Sequence, residues 1–214
     1  MARFHLNDVD GELTLVDRAS PKQAPLKIDF ADAKLRHRVF QGGKKELLLR
    51  AVGAKPGLVV NDWTAGLGTD SLLLASAGCQ VTMYERSPVM AALLSQALDN
   101  ALQHDGLSLI VKRMNLLCGD VRVFEANGAD VIYLDPMFPH RSKSALVNGS
   151  MQYLQNLLGP DYDAEALIQF ARNQPVKRVV VKRPTSAPES DATFVLKAKA
   201  NRFDVYERPG AGCN

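Results

Sequence analysis

The sequence predicts an α/β protein: a Rossmann-like, largely parallel sheet covered by helices on both faces, with a small N-terminal β appendage. Three observations predict it. From Leu58 to Tyr206, short apolar runs rich in β-branched residues alternate with segments of helical spacing. The first of these runs leads directly into a glycine-bearing turn, Thr64-Ala65-Gly66-Leu67-Gly68. Before them, the opening residues alternate apolar and polar side chains around an Asp10-Gly11 turn. Residues 1–30 are accordingly assigned to the appendage and 31–214 to the α/β domain.

In the appendage, Phe4-His5-Leu6, Glu12 to Val16 and Leu26 to Phe30 read as strands, with Ser20 to Pro25 a polar connector. From Asp32 to Gly53 the pattern turns helical, with Leu47, Leu48 and Val52 on one face and Gly53 as a stop. Leu58-Val59-Val60 is the first strand of the main sheet, followed by a helix from about Asp70 to Ala77 that Gly78 ends. Gln80 to Glu85 is the second strand. Ser87-Pro88 opens the next helix, with serine as cap and proline in the first turn. Its stripe, Met90, Leu93, Leu94, Ala97, Leu98 and Ala101, has the helical period and carries it to about Gln103. Met114 to Cys118 and Val131 to Leu134 are the third and fourth strands, ending at Gly119-Asp120 and Asp135-Pro136. A helix from Ala164 to Asn173, with Asp163 as cap, precedes the fifth strand, Arg178 to Lys182; Phe194 to Lys199 and Phe203 to Tyr206 close the sheet as an antiparallel pair.

The 214 residues suit one such domain with an appendage, and 46% hydrophobic residues supply a sizeable core. With 23% charged residues the chain is neither disordered nor a membrane protein, and runs such as Leu72-Leu73-Leu74-Ala75 are far too short to span a bilayer. The first residues carry no apolar signal core, so a cytoplasmic location is expected. Cys79, Cys118 and Cys213 are odd in number and lack metal-ligand spacing; neither disulfide nor metal is expected, and Cys79 and Cys118 read as buried small hydrophobes. A net charge of +3 decides little. Cations cluster at Lys34, Arg36, His37, Arg38, Lys44 and Lys45, yet any one of them reads best as solvated surface.

Ligands of a parallel α/β sheet bind beyond the C-terminal ends of its strands, which brings together Thr64 to Asp70, Glu85-Arg86 and Asp135 to Phe138. Gly66 and Gly68 let the backbone approach a ligand. The turn does not complete the dinucleotide GxGxxG pattern, and Asp70 repels a pyrophosphate. The cofactor it suits carries a sulfonium, an amino acid and adenosine, without phosphate. Glu85, 17 residues beyond Gly68, is placed to accept both hydroxyls of a ribose; read alone, it is a surface glutamate paired with Arg86. Asp120 takes the position that faces an adenine, and reads equally as part of a Gly-Asp turn.

Asp135-Pro136-Met137-Phe138 is the most informative segment. An acidic or amide residue, proline, any residue and an aromatic resembles the signature of amino-group methyltransferases. An exocyclic base amine is a poor nucleophile, because its lone pair is delocalised into the ring. The Asp135 side chain and the Pro136 carbonyl can hold its two N–H bonds and favour pyramidalisation, while Phe138 stacks on an extruded base. Positioning then supplies much of the rate. Basic residues follow directly: His140, Arg141 and Lys143, with Lys44 and Lys45 in the earlier basic loop, are the candidate contacts to RNA phosphates.

Taken together, Asp62 to Asp70, Tyr84 to Val89, Tyr133 to His140, Lys143 to Val147, Gly159-Pro160-Asp161, Lys177 to Pro184 and Arg202-Phe203-Asp204 resemble the ribosomal small subunit methyltransferase J family. The likeness covers about residues 28 to 206, and Leu134 to Val147 is its most specific run. It implies a class I S-adenosylmethionine (SAM)-dependent methyltransferase fold acting on N2 of a guanine in 16S ribosomal RNA. It implies cofactor contacts at Thr69, Asp70, Glu85, Arg86, Asp120, Val121 and Asp135. Thr69 stands where the family has arginine, and Asp120-Val121 where it has paired serines; Met137 replaces a commoner second proline. The family usually carries a longer N-terminal region. Three other readings remain: a methyltransferase of another nucleic-acid or protein amine, a nicotinamide-dependent oxidoreductase, and a non-catalytic RNA-binding or ribosome-assembly protein.

Overall fold

The computed structural model describes residues 3–43, 46–124, 128–138 and 149–208, with the side chains of 149–152 excepted. Strands β1 (Phe4–Val9) and β2 (Glu12–Asp17) form an antiparallel hairpin of their own. Helices α1 (Ala33–Gln41) and α2 (Leu47–Val52) lead into the main sheet. There β3 (Val59–Asp62), β4 (Gln80–Glu85), β5 (Met114–Cys118), β6 (Val131–Leu134) and β7 (Arg178–Pro184) are joined through α3 (Thr69–Ser76), α4 (Pro88–Leu102), the short α5 (Ser108–Val111), α6 (Gly149–Leu158) and α7 (Ala164–Arg172). An antiparallel pair, β8 (Phe194–Lys197) and β9 (Asn201–Glu207), completes it.

The sheet order is β5-β4-β3-β6-β7-β9-β8, parallel through β7 and antiparallel beyond. Counted within the sheet this is 3-2-1-4-5-7-6, so strand order reverses between β3 and β6. β6 is buried at every position, as a central strand covered on both faces must be. Its side chains alternate: Val131 and Tyr133 join the layer beneath α1 to α4, Ile132 and Leu134 the layer beneath α7. Pro88 in the first turn and the Ser87 hydroxyl, accepting from Met90 N at 3.4 Å, start α4 where the sequence places it.

The hairpin packs Leu15 against Met90 and Leu93 of α4 and Tyr153 and Leu154 of α6. Gln96 of α4 stitches its turn, accepting from Leu13 N and donating to Gly11 O, both at 2.6 Å. At its other end Arg3 ion-pairs with buried Asp17 at 2.7 Å and holds that carboxyl down to about 2.

Four sequence expectations need correction. Leu26 to Phe30 forms no strand; a single bridge, Leu15 to Leu26, is made before Phe30 turns into the core. Cys79 is buried, but Cys118, the last residue of edge strand β5, is exposed. Asp163 precedes α7 without capping it by a side-chain bond, because its carboxylate is taken by arginines. β8 stops at Lys197, and the chain has turned into β9 by Asn201. The helix α6 carries no counterpart in the sequence reading. Among the described residues, no helix is long and apolar enough to cross a membrane, and no cluster of His, Cys, Asp or Glu has metal-site geometry.

Candidate active site

The switch point between β3 and β6 opens a crevice beyond the strand ends. At the end of β3, Asp62 is buried, accepting from Thr64 N at 3.1 Å and from the Ser71 hydroxyl at 2.6 Å. Burial pushes its carboxyl up to about 7 against those two donors, and Asp70 and Asp135 add to the rise. Gly66 and Gly68 have φ of +53° and +70°. At Gly68 a Cβ would lie 2.8 Å from the Leu94 side chain and 2.9 Å from Phe30, so only glycine lets α3 start this close to α4.

β4 delivers Glu85, 5% exposed. Its carboxylate accepts from Gly66 N at 3.0 Å and Ser87 N at 2.8 Å, one bond per oxygen. Burial raises its pKa and the two N–H donors oppose the rise. Each oxygen retains acceptor capacity for a ligand hydroxyl. The neighbouring Arg86 is not its ion-pair partner: it binds Asp161 and, at 3.2 Å, Asp163. Asp120 caps a 3-10 turn, Val121–Val123, and is held down to about 2 by Arg122.

Asp135 directly follows β6, and its N–H donates to Thr64 Oγ1 at 2.6 Å. Lys182 of β7 reaches across with Nζ 2.7 Å from Asp135 Oδ2 and 2.9 Å from Asp70 Oδ2. Asp70 also accepts from the Tyr133 hydroxyl at 2.6 Å and faces Arg38 at 3.5 Å. Burial raises Asp70's pKa, but Lys182, Tyr133 and Arg38 together leave it below the usual range. Asp135 goes the other way: burial pushes it up, Lys182 pulls against burial, and Asp70 adds to the rise. The next residues are clamped. Met137 N donates to the Asp161 carboxylate at 2.7 Å, Asp161 N returns to Met137 O at 2.8 Å, and Phe138 N folds back to Pro136 O at 2.9 Å. The Arg183 guanidinium lies 4.9 Å from the Phe138 ring centroid.

Two cavities meet at this turn. Gly66, Thr69, Asp70, Glu85, Arg86, Asp120, Val121 and Asp135 all line the first. Gly68 does not; it faces Leu94 and Phe30. Pro136 and Phe138 line the second, with Tyr162 and Arg183. Asp135, Met137 and Lys182 line both. Lys44, Lys45, His140, Arg141 and Lys143 lie outside the described residues. Sequence reasoning placed Thr64 among the strand-end segments of the site but gave no site role to Asp161 or Lys182. Their one signal was membership of Gly159-Pro160-Asp161 and Lys177 to Pro184, two of the segments that carry the family resemblance.

Seven carboxyl groups line the first cavity against three cations, Arg86, Arg122 and Lys182. Such walls repel a pyrophosphate and suit a cationic nucleoside. Buried Glu85 beside the glycine turn suits a ribose. Fold and site together define a class I SAM-dependent methyltransferase. A family model described as "Putative SAM-dependent methyltransferase" matches residues 1–208. The chain is 44% identical over 211 residues to the ribosomal RNA small subunit methyltransferase J of Psychromonas ingrahamii, covering 95% of this chain and 83% of that one. To the protein of the same name from Pseudomonas aeruginosa PAO1 it is 39% identical over 221 residues, covering 99% and 85%. A crystal structure of a SAM-dependent methyltransferase from Neisseria gonorrhoeae superposes with a TM-score of 0.71 at 32% identity, over 94% of this chain and 81% of that chain. The chain belongs to the ribosomal RNA small subunit methyltransferase J family.

Replacing Glu85 by alanine is expected to weaken S-adenosylhomocysteine binding roughly 10- to 100-fold, the worth of hydrogen bonds to a buried charged acceptor. Calorimetric titration measures this directly, with NADH as a control that should show no heat. An unchanged dissociation constant moves the ribose site elsewhere.

Proposed function

We propose that the protein methylates the exocyclic N2 amine of a guanine in 16S ribosomal RNA, presented in the RNA or in the small subunit. The observation that carries this reading is the shared wall: Asp135 stands between a carboxyl-lined cofactor cavity and a second cavity bounded by Pro136, Phe138 and Arg183. SAM supplies a methyl group activated on sulfonium sulfur. The guanine stacks on the face of Phe138 away from Arg183, and its amine donates one N–H to the Asp135 carboxylate and the other to the Pro136 carbonyl. That carbonyl already accepts from Phe138 N, and its second lone pair serves the amine. The N2 lone pair forms the new C–N bond as the C–S bond breaks, and the methylated nitrogen then passes one proton to solvent water, with S-adenosylhomocysteine the other product. Cations of residues 140–143 and 44–45 hold flanking phosphates, and residues 31–214 act as the methyltransferase domain with 1–30 as its appendage. A ribosomal substrate places the protein in the cytoplasm.

The test offers 16S RNA and small subunits lacking the modification to the enzyme with methyl-labelled SAM, followed by nucleoside analysis. N2-methylguanosine in one of them is the expected product. Label in another nucleoside, or only in another RNA or a protein, replaces the assignment.

A further inference from the structure

We propose that Lys182 is a positioning residue for methyl transfer: by bridging Asp70 and Asp135 it keeps Asp135 ionised and aimed at the acceptor amine. The proposal rests on the reading of Asp135 as the group that holds that amine. An ionised carboxylate only accepts hydrogen bonds, whereas a protonated one presents a donor to an amine that must itself donate. Protonation of Asp135 therefore switches the site off.

The surroundings favour protonation. Asp135 faces Asp70 at the start of α3, Asp62 at the end of β3, Tyr133 on its own strand, and Asp161 from the loop before α7. Tyr133 donates to Asp70, and Arg38 of α1 lies beside Asp70 too. Among these described neighbours Lys182 is the cation that touches Asp135. Its ammonium stays charged, because the two carboxylates more than offset the effect of burial. It is also geometrically restrained. β7 is paired with β6 on one side and β9 on the other, and Asp70 fixes the second contact. Asp135 itself is tethered at its N–H by Thr64. Asp135 is thus held at two points, its backbone by Thr64 and its carboxylate by Lys182, and the free acceptor capacity of the carboxylate faces the cavities.

The measurement is the pH profile of kcat/KM together with a 13C NMR titration of the aspartate side-chain carboxyl carbons, the Asp135 signal being assigned by its loss in Asp135→Asn. In Lys182→Met, the acidic limb and the Asp135 titration should both move up by about one pH unit or more, the effect of losing an opposite charge in contact. Lys182→Arg should return most of that shift. Asp70→Asn should move both in the opposite direction, because it removes a carboxylate that repels Asp135 and leaves Lys182 to it alone. A residue that merely supports packing would not give opposite shifts. An unmoved Asp135 titration in Lys182→Met, or in Asp70→Asn should the methionine variant not fold, overturns the proposal. If the wild-type enzyme methylates no 16S substrate, the functional reading falls, while the carboxyl titration still decides the role of Lys182.

Discussion

Replacement of Asp135 by alanine is expected to lower the rate of methyl transfer by roughly 100-fold or more, with S-adenosylhomocysteine affinity changed about tenfold or less. The asymmetry follows from where Asp135 stands. It is one of many groups lining the cofactor cavity, whereas Glu85, Gly66 and the rest of that wall are untouched by the change. On the acceptor side it is the charged group of the turn, with Pro136 offering only a neutral carbonyl. Asparagine should fall between alanine and the native aspartate, since its amide carbonyl can still accept from the amine while Lys182 would face it without a charge to neutralise. Single-turnover kinetics with saturating cofactor, beside calorimetry, separates the two effects. Turnover near the wild-type rate would remove Asp135 from the chemistry.

Asp204 to alanine is expected to cost about 3–5 kcal/mol of stability. Asp204 is fully buried on β9, paired in register with Val181. It accepts from Arg202 Nε at 2.8 Å and Nη2 at 3.1 Å and from the Ser190 hydroxyl at 2.7 Å. Arg183 Nε stands 3.4 Å away in an ion pair without hydrogen-bond geometry, and it is otherwise unsatisfied. Removing the carboxylate leaves the buried Arg202 guanidinium without its carboxylate partner, while Arg183 keeps only the exposed Glu165. Arg202 also donates to Ala187 O and Pro188 O, so the loop between β7 and β8 loosens with it. For a chain of this length the midpoint of thermal unfolding should fall by on the order of 10 °C. Because Arg183 also covers Phe138, the KM for RNA should rise in the same variant. Urea unfolding that shows a loss below about 1 kcal/mol would mean the pair is replaceable.

Periodicity and turn chemistry carried most of the fold. The parallel strands were legible because each is a short apolar run, four of them meeting Asp62, Glu85, Gly119 or Asp135 at the C-terminal end, and α4 because its stripe and its Ser87-Pro88 start agree. Leu26 to Phe30 misled because alternation signals a strand only where a neighbour offers a full ladder, and here β2 offers one bridge. Cys118 misled because an apolar context does not reveal that a strand lies at the sheet edge. Within the site, Gly66, Glu85 and Asp135 were legible as residues at or just beyond strand ends on one side of the sheet. Lys182 was not: in sequence it is one of many lysines, and its meaning comes from contacts 47 and 112 residues away. Arg86 shows the same limit, since its partners Asp161 and Asp163 are 75 and 77 residues distant.

The partition between the two cavities has a consequence for engineering. With the donor in the first chamber and the acceptor in the second, as proposed above, Asp135, Met137 and Lys182 line both, so a substitution among them should alter the two sides together. Glu85 and Val121 on one side, and Tyr162 and Pro184 on the other, each line a single chamber and are independent dials. A library meant to redirect the enzyme to a different nucleobase belongs at the second set; one meant to admit a bulkier sulfonium analogue belongs at the first.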